Sequence, residues 1–508
     1  MHNKIKSFDQ ISEILLEAKK QGIRIVQCHG VFDLLHPGHI RHFIEAKKQG
    51  DKLVVTVTPD RFVNKGPDRP AFSEALRIET LAALDCIDYV VLNDCPDAVS
   101  CIRRIRPDIY VKGKEYENHD EDITGKIKDE VEAVRESNGT IHYTDDIVFS
   151  SSSLLNRYFS PKTSSQATFL SSIKERYSLE DLMSAIESLK DLRVLVIGDA
   201  IIDEYQYVDL LGQSGKGLHM TARSLEKETF LGGSLIIANH LAEFSDHVTL
   251  LTSIGSHCPN KLFIEETLNP KIKREFLFHE ENNTLTKLRY VVRDGNNLSK
   301  LFETYSTNDS LLNTKETDQV LSYLQNETKD FDLVLVCDFG NGFTNPQIVE
   351  ALSSLPNFLA INTQTNSGNR GYNVVNHYRR ADFISLNEPE IRLAAHDRYS
   401  SLEKIADKIA RQLKCTMISV TRGVNGAYCS STLEPNVYIP AFITNAIDRV
   451  GAGDSYFAIA SLSAAKQFPI SLAGFFGSIA SALDVQIIGN KEPVKKIPFA
   501  KFLTRLMK

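Results

Sequence analysis

Short apolar runs alternate with amphipathic stretches through the first 150 residues of the chain. The runs at 23–28, 52–58, 89–92 and 108–111 have the length and β-branched content of buried strands. The stretches at 8–21, 74–84, 97–105 and 122–137 place apolar residues at helical spacing. This alternation predicts an α/β fold with a doubly wound parallel sheet, whose ligands bind at the carboxyl ends of the strands.

A second βα series begins near residue 192, after a break in the pattern. The segment 160–168, SPKTSSQAT, has the composition of a linker, and 179–189 predicts a connecting helix with a serine N-cap. Strands are predicted at 192–197, 333–338, 358–362, 382–386 and 416–420. The polar stretch 205–230 predicts a small projecting sheet. We therefore expect domains at 1–160 and 191–508, joined by a linker and helix at 161–190.

Composition limits the classes of protein and of partner. A chain of 508 residues is too long for one core, which agrees with separate domains. A net charge of −7 argues against general nucleic-acid binding. Eight scattered cysteines without a CxxC pair favour a reducing, cytoplasmic compartment. Neither an N-terminal apolar segment nor an apolar run near the ~20 residues of a membrane helix is evident in the sequence, so no membrane partner is expected.

The clearest chemical signal is the stretch Gly30–His39, GVFDLLHPGH, which follows the first predicted strand. Pro37 and Gly38 open a helical pattern, so the turn places backbone N–H groups at a phosphate-sized gap. His36 and His39 are three residues apart and share one face of the first helical turn. Two imidazoles beside a helix N-terminus suit a phosphate chain whose charge rises during reaction. The alternative is a βα turn that carries histidines without a catalytic role.

This stretch resembles the nucleotidyltransferase superfamily signature G-x-F-D-x-x-H-x-G-H, and the resemblance extends over residues 23–160. It implies a Rossmann-like, cytidylyltransferase-like domain that transfers a nucleotidyl group from a nucleoside triphosphate to a phosphate and releases pyrophosphate. It also implies that His36 and His39 stabilise the pentavalent α-phosphate. Taken without the resemblance, the loop cation Lys65 would be a solvated surface group and the serine run 150–153 a linker. The nucleotide-binding residues implied by the resemblance are Gly30, Phe32, Asp33, Gly38, Lys65, Arg77, Lys112, Gly113, Ser151 and Ser152.

A second candidate centre is Asp448–Asp454, DRVGAGD, which precedes an apolar helical run. A Gly-Ala-Gly turn at a helix start presents N–H groups to an anion. Asp454, just beyond, is placed to take a proton from a hydroxyl that attacks a γ-phosphate. The alternative is an aspartate that only caps a helix. Three companion motifs favour the chemical interpretation, namely 198–203, Gly232-Gly233 and 421–423.

Together these motifs resemble the ribokinase-like (PfkB) sugar kinases over about residues 190–500. The resemblance implies a ribokinase-like α/β domain with a small β lid at 205–230 and 284–305, which often also forms a dimer interface. It implies Asp454 as the catalytic base. Relatives usually carry Thr at Arg449, Asn at Ile236 and Lys at Asn341. The remaining implied residues are an anion hole and ATP site of Gly451, Ala452, Gly453, Asn387, Glu390, Thr421, Gly423 and Gly426, and a substrate site of Asp203, Gly232, Gly233 and Asp338.

The pairing of the two motif sets resembles the bifunctional enzymes of ADP-heptose synthesis, with the domain order reversed. It predicts ATP-dependent phosphorylation of a sugar or sugar phosphate, and transfer of a nucleotidyl group from ATP or CTP to a sugar phosphate. Mg²⁺ is expected at both sites through the triphosphates, with no dedicated protein metal site. The alternative is a CTP-dependent polyol-phosphate cytidylyltransferase whose kinase-like half is a non-catalytic dimerising or regulatory module.

Overall fold

The computed structural model describes residues 2–63, 66–67, 69–114, 126–144, 163–279, 284–295, 297–306, 311–369, 371–443 and 445–508. The chain divides into two compact units. Unit 1 comprises Met1–Thr163 and Ala500–Lys508, and unit 2 comprises Ser164–Phe499. Among the described residues, no helix combines the length and the apolar character needed to cross a bilayer.

Unit 1 is built on a parallel sheet of six strands in the order β1-β4-β3-β2-β5-β6. Its central strands were predicted, whereas the edge strands β1 and β6 are too short or too polar to show in the pattern. The strands are β1 (Ile5–Lys6), β2 (Ile25–Gly30), β3 (Lys52–Val57), β4 (Tyr89–Leu92), β5 (Ile109–Gly113) and β6 (Thr140–Thr144).

Helices cover both faces of this sheet, which confirms the doubly wound fold. Side chains of β3 alternate between the two cores: Val54 packs with α1, α4 and α5, while Leu53 and Val55 pack with α2 and α3. The helices are α1 (Phe8–Lys20), α2 (Pro37–Lys48), α3 (Glu74–Ala82), α4 (Val99–Ile105) and α5 (Lys126–Glu136).

Unit 2 contains a large mixed sheet with the strand order β10-β9-β7-β13-β14-β15-β16-β17-β18. The strands from β10 to β16 are parallel, and β17 and β18 add antiparallel. All five predicted strands are present, each begins within one residue of the predicted start, and all but the first also end within one residue of the predicted end. These strands are β7 (Arg193–Gln213), β9 (His247–Gly255), β10 (Lys273–His279), β13 (Leu333–Asp338), β14 (Phe358–Thr363), β15 (Phe383–Asn387), β16 (Met417–Thr421), β17 (Ala427–Ser431) and β18 (Val437–Ile439).

A small lid sheet grows from the same strand, β7, which runs on past the predicted end at Ile197. Gly198 lets it continue, because a Cβ there would overlap the carbonyl oxygen of Cys337 on the neighbouring strand. The outer part of β7 pairs antiparallel with β8 (Met220–Gly233) and parallel with β11 (Leu285–Asp294). β11 pairs antiparallel with β12 (Asn297–Ser306). The lid strands are therefore fixed to the core sheet through β7.

Helices flank the large sheet and also occupy the segment predicted as a linker. Its second part is helical from Ser164, because Phe169, Leu170 and Ile173 form a buried apolar stripe that outweighs the Ser/Thr composition. The helices of unit 2 are α6 (Ser164–Arg176), α7 (Leu179–Ser188), α8 (Ser234–Ala242), α9 (Lys261–Thr267), α10 (Thr314–Glu327), α11 (Pro346–Ser354), α12 (Glu388–Ala395), α13 (Leu402–Gln412), α14 (Ala452–Ala465) and α15 (Ile470–Asp484). The last helix, α16 (Lys496–Met507), begins in unit 2 and ends in unit 1.

Candidate functional site

The stretch Gly30–His39 forms the turn from β2 into α2 at the carboxyl edge of the unit 1 sheet. Phe32 adopts a left-handed backbone with φ 50° and folds its ring back over Gly30. A Cβ on Gly30 would lie 2.9 Å from that ring, so glycine leaves the space that the turn needs. Pro37 occupies the first helical turn, where its missing N–H costs nothing.

The two histidines of the signature stack at the N-terminus of α2, with ring centroids 4.0 Å apart. His36 is the N-cap, and its Nδ1 accepts a hydrogen bond from the Gly38 backbone N–H at 3.1 Å. Because Nδ1 accepts this hydrogen bond, Nε2 is the ring nitrogen left to carry a hydrogen. Phe32 stands edge-on to His39 at 5.6 Å and holds that ring in place. This arrangement brings two imidazoles to the positive end of a helix dipole.

Asp33 fastens the loop that follows β3 to this turn. Its buried carboxylate accepts backbone hydrogen bonds from Ala71 at 2.7 Å and Phe72 at 3.1 Å. Arg69 donates to the same carboxylate at 3.2 Å. Asp33, predicted to bind nucleotide, thus contacts protein groups, a geometry that favours a positioning role.

Arg77 likewise has its guanidinium engaged by protein oxygens. It donates to the carbonyl of Thr58 at 2.9 Å, to that of Phe72 at 3.0 Å and to the Asp60 carboxylate at 2.6 Å. It also donates to the carbonyl of Val31, inside the signature turn. The prediction of direct nucleotide contact is therefore less well supported for Arg77 than a role in holding the turn.

The remaining predicted nucleotide residues lie at the carboxyl edge or outside the described chain. Lys112, on β5, pairs with the buried Glu130 carboxylate at 2.7 Å, and Gly113 ends the strand. Gly38 is buried in the first turn of α2. Three predicted residues, Lys65, Ser151 and Ser152, lie outside the described residues.

Two further histidines stand at this edge and were not predicted. His42 bonds to Thr144 Oγ1, at the end of β6, at 2.8 Å. His29 bonds to Thr56 Oγ1 at 2.9 Å. The only sequence signal that pointed to His42 was its position on α2, one helical turn after Gly38.

In unit 2, the motif Asp448–Asp454 forms the start of α14. Gly451 is the N-cap with φ 89°, and a Cβ there would overlap Asn490 Oδ1. Ala452 and Gly453 form the first turn, and nothing lies within 4 Å of a Cβ built on Gly453. The first turn is therefore open on the side of Gly453, which is compatible with an anion bound at the helix N-terminus.

Asp454 lies in that first turn, in a strongly acidic environment. Burial, and to a smaller extent the nearby Asp203 carboxylate, raise the pKa of its carboxyl to about 7, against the opposing effect of the Lys287 ammonium. A carboxyl that titrates near neutrality is matched to the removal of a proton from an alcohol.

The predicted substrate residue Asp203 is on β7 and forms a buried ion pair with Arg289 of β11. Arg289 also donates to Glu303 Oε2 at 3.0 Å. A Cβ on Gly232 would lie 2.5 Å from Asp203 Oδ2, and one on Gly233 would lie 2.6 Å from the Asp199 carbonyl oxygen. Glycine at both positions thus lets β8 pass close to the acidic group.

Lys287 and Arg289 were missed by sequence reasoning, although a signal was present. Alternate residues of β11, namely Leu285, Lys287, Arg289 and Val291, are buried, so two cations occupy the inward positions of a strand. Burial lowers the pKa of Lys287, while Asp203 raises it. A desolvated ammonium beside the Asp454 region is an unpredicted feature of the site.

The predicted ATP residues Asn387 and Glu390 form a reciprocal capping box on α12. Asn387 Oδ1 accepts from the Glu390 N–H, and Glu390 accepts from the Asn387 N–H, both at 2.9 Å. Burial raises the pKa of Glu390 to about 7. Thr421 ends β16, and Gly423 and Gly426 form the next turn, where a Cβ on Gly426 would overlap the Ile439 carbonyl oxygen.

Asp338, predicted to bind substrate, is instead enclosed by protein donors. Its carboxylate accepts from Tyr378 Oη at 2.8 Å, Asn373 Nδ2 at 3.0 Å and His377 Nε2 at 3.1 Å. The geometry favours a role in shaping the loop after β13, because buried carboxylates that are saturated in this way leave few lone pairs for a ligand. Asp199, one strand away, accepts the N–H groups of 339, 341 and 343 and holds the other side of that loop.

Comparison with known proteins agrees with this division of sites. A model described as Cytidylyltransferase-like matches residues 28–158, and one described as pfkB family carbohydrate kinase matches residues 191–497. The N-terminal part is similar to Bifunctional protein HldE of Geobacter metallireducens, 44% identical over 115 residues that cover 22% of this chain and 24% of that protein. HldE of Geotalea uraniireducens is 42% identical with the same coverage. The chain thus spans about a quarter of the length of these curated relatives.

Among solved structures, phosphofructokinase-2 from Escherichia coli in complex with substrates and products is similar in fold, with a TM-score of 0.51 and 13% identity. The match covers 62% of this chain and 100% of that one. The doubly wound nucleotidyltransferase-like fold of unit 1 and the ribokinase-like fold of unit 2 are therefore both confirmed. The pfkB family model spans more than half of the chain, so the chain belongs to the pfkB family of carbohydrate kinases.

Proposed function

We propose that this chain is a bifunctional enzyme that phosphorylates a sugar or sugar phosphate with ATP and couples a sugar phosphate to a nucleoside monophosphate. The observation that carries the kinase half is Asp454, a carboxyl with a pKa near neutrality in the first turn of a glycine-capped helix. Gly451, Ala452 and Gly453 are the proposed anion hole, and Asp454 is the base that accepts the sugar proton.

The transferase half is supported by the stacked pair His36 and His39 at the N-terminus of α2. In our proposal both rings donate hydrogen bonds to the α-phosphate as its charge grows, so catalysis is positioning and charge neutralisation. Asp33 and Arg77 hold the turn and the adjoining loop. Lys112 and Gly113, at the end of β5, line the proposed nucleotide site.

Magnesium is the metal implied by both reactions, because it neutralises triphosphate charge. In the described residues no three His, Cys, Asp or Glu side chains converge on a metal site. We therefore propose that Mg²⁺ enters with ATP at the kinase site, and with ATP or CTP at the transferase site. We propose Glu390, whose charge acts on Asp454, as the carboxylate that faces the metal, which takes its other oxygen ligands from the phosphates and water.

The sugar class is proposed from the relatives. The similarity of unit 1 to proteins named HldE, together with a kinase unit in the same chain, supports nucleotide-sugar precursor synthesis of the ADP-heptose type. All eight cysteines are free thiols, which supports a reducing cytoplasmic compartment.

Two screens test the proposal. Kinase activity is measured as ADP formation with ATP and a panel of sugars and sugar phosphates, comparing the parent with Asp454→Asn. We expect turnover with at least one acceptor and its loss in the variant. A panel without any Asp454-dependent turnover would support the alternative, in which unit 2 is a non-catalytic module of a CTP-dependent cytidylyltransferase.

Transferase activity is measured as pyrophosphate release, crossing ATP, CTP, GTP and UTP with sugar and polyol phosphates. We expect release with ATP and a heptose phosphate. Release with CTP and a polyol phosphate alone would replace the ADP-heptose assignment by the cytidylyltransferase one.

We also propose a homodimer formed through the lid. The outer lid hairpin exposes apolar side chains that a water-facing sheet would not retain, including Leu211, Leu218 and Met220, with Leu218 98% exposed. Sedimentation of the parent and of Leu218→Glu/Met220→Glu tests this: a dimer that becomes a monomer supports the lid interface, and a dimer that persists rejects it.

A further inference from the structure

A buried carboxylate joins the lid to the loop that forms the anion hole. Asp448 lies three residues before Gly451, and its side chain is 1% exposed. One oxygen, Oδ2, accepts from Tyr205 Oη at 2.6 Å and from the Gly489 N–H at 3.1 Å. The other, Oδ1, accepts from Lys300 Nζ at 2.6 Å and from the Val450 N–H at 3.2 Å.

These contacts connect distant parts of the chain. Tyr205 is on β7 and Lys300 on β12, both in the lid, while Val450 leads directly into Gly451. Among the described residues, Lys300 is the one cation within 4 Å of this carboxylate. A buried carboxylate that loses its cation is left uncompensated, which is strongly unfavourable. The lid therefore supplies, through Lys300, the charge that balances the buried carboxylate before α14.

The lid base packs against the segment whose Gly489 N–H also contacts Asp448. Tyr205, Tyr207, Phe230 and Val291 form a small hydrophobic cluster, against which Ile488 packs. Lys300 is paired with Val291 across the β11–β12 ladder. The same strand β11 carries Lys287 and Arg289, the cations next to Asp454 and Asp203.

We propose that Lys300 and Asp448 are positioning residues of the kinase, which set the anion-hole loop according to the position of the lid. The hairpin holds Lys300 on Asp448, and Asp448 orients the Val450 N–H and the start of α14; a substrate held against the inner face of β11 would keep the hairpin in this position. This inference rests on the proposed kinase function, and it assigns a role to Lys300 and to Asp448, the first residue of the second candidate centre, which had no assigned role.

The test compares the parent with Lys300→Met, Lys300→Arg, Asp448→Asn and the double variant Lys300→Met/Asp448→Asn. Lys227→Met is the matched control, because Lys227 is also a lid lysine in an ion pair, with Glu204 at 2.7 Å. ADP formation from ATP with a heptose phosphate gives kcat and KM. Hydrogen exchange of the amides at 449–455 in the free protein gives a readout that does not depend on turnover.

We expect Lys300→Met to lower kcat by about 10- to 100-fold with a much smaller change in KM, because misplacement of the anion hole acts on the transition state. Lys300→Arg should recover most of the rate, and the double variant should be no slower than the worse single variant. Exchange at 449–455 should become about tenfold faster in Lys300→Met, since a charged hydrogen bond is lost. Lys227→Met should match the parent in both readouts.

Parent-like kcat and parent-like exchange in Lys300→Met would overturn the inference. So would additive effects in the double variant, or a Lys300→Arg rate as low as that of Lys300→Met. If the parent shows no turnover with any acceptor, the proposed kinase function fails, and the exchange measurement alone decides whether the pair sets the loop.

Discussion

Arg289 of the lid strand β11 pairs with Asp203 of β7, and both side chains are buried. The two residues are separated by 86 positions in sequence. Asp203 was predicted to bind a sugar hydroxyl. Arg289 pairs with Asp203 Oδ1. The other oxygen, Oδ2, faces Gly232, where the absence of a Cβ leaves room for it.

Breaking this pair should destabilise unit 2 more than removing it entirely. We expect Arg289→Met to cost about 3 kcal/mol, because it leaves a buried carboxylate without a partner. Arg289→Met/Asp203→Asn should recover part of that loss. Urea unfolding of the full chain, with hydrogen exchange in β7 and β11 as the local probe, measures both. A double variant less stable than Arg289→Met would contradict this account.

The kinase rate should depend on the ionisation of Asp454. Because the base must be deprotonated and its pKa is raised to about 7, kcat/KM should rise with pH through neutrality. The Lys287 ammonium opposes the rise in this pKa, so Lys287→Met should move the acid limb to higher pH. Lys273→Met, an exposed lysine on β10, is the control. An acid limb that does not move in Lys287→Met would contradict the proposed influence of Lys287.

The same carboxyl should make stability depend on pH. A folded-state pKa raised above the unfolded value means that the folded protein binds the proton more tightly, so this contribution is lost as pH rises toward about 7. Asp454→Asn should therefore gain stability relative to the parent between pH 5 and pH 8. Thermal unfolding across that range measures the difference in stability between the variant and the parent. A stability difference that shrinks with rising pH would contradict this prediction.

Substitution of His36 should reduce both activity and stability, whereas substitution of His39 should reduce activity, because His36 is the N-cap of α2. His39→Ala should lower pyrophosphate release by about 100-fold or more, the usual effect of losing a transition-state donor. His36→Ala should lose activity and also about 1 kcal/mol of stability, because Nδ1 caps α2. His36→Asn restores a capping side chain without the imidazole, so its stability should return while its rate stays low. Release at the parent rate in His39→Ala would reject the transferase assignment.

Gly451 should be required for kinase turnover and not for the transferase. Alanine there meets a positive φ and overlaps Asn490, so we expect α14 to shift and kcat to fall by about 100-fold. Gly215→Ala, at the lid tip, has open space for its Cβ and should leave both rates unchanged. Equal loss of both activities in Gly451→Ala would indicate general unfolding instead of a local effect.

Much of the architecture was predictable from sequence because its signals are local. Buried parallel strands appear as apolar runs and helices as apolar periodicity. The two candidate anion-binding turns appear as Gly or Pro next to a strand or helix. The prediction of a linker was wrong from Ser164 onward. That segment is helical because Phe169, Leu170 and Ile173 are buried, and their burial depends on residues elsewhere in the chain. The protein contacts of Asp33, Arg77 and Asp338 could not be predicted either, because their partners come from other segments.

The sequence by itself determined the doubly wound sheet of unit 1, the second βα series and the positions of His36, His39 and Asp454, since each depends on residues within one turn or strand. Only the tertiary structure decided which charges meet. Lys300 reaches Asp448 across 148 positions, and Lys287 lies beside Asp454 through strand pairing. The physical reason is that ion pairing and desolvation depend on distance in space, which strand order and register set and local sequence does not encode.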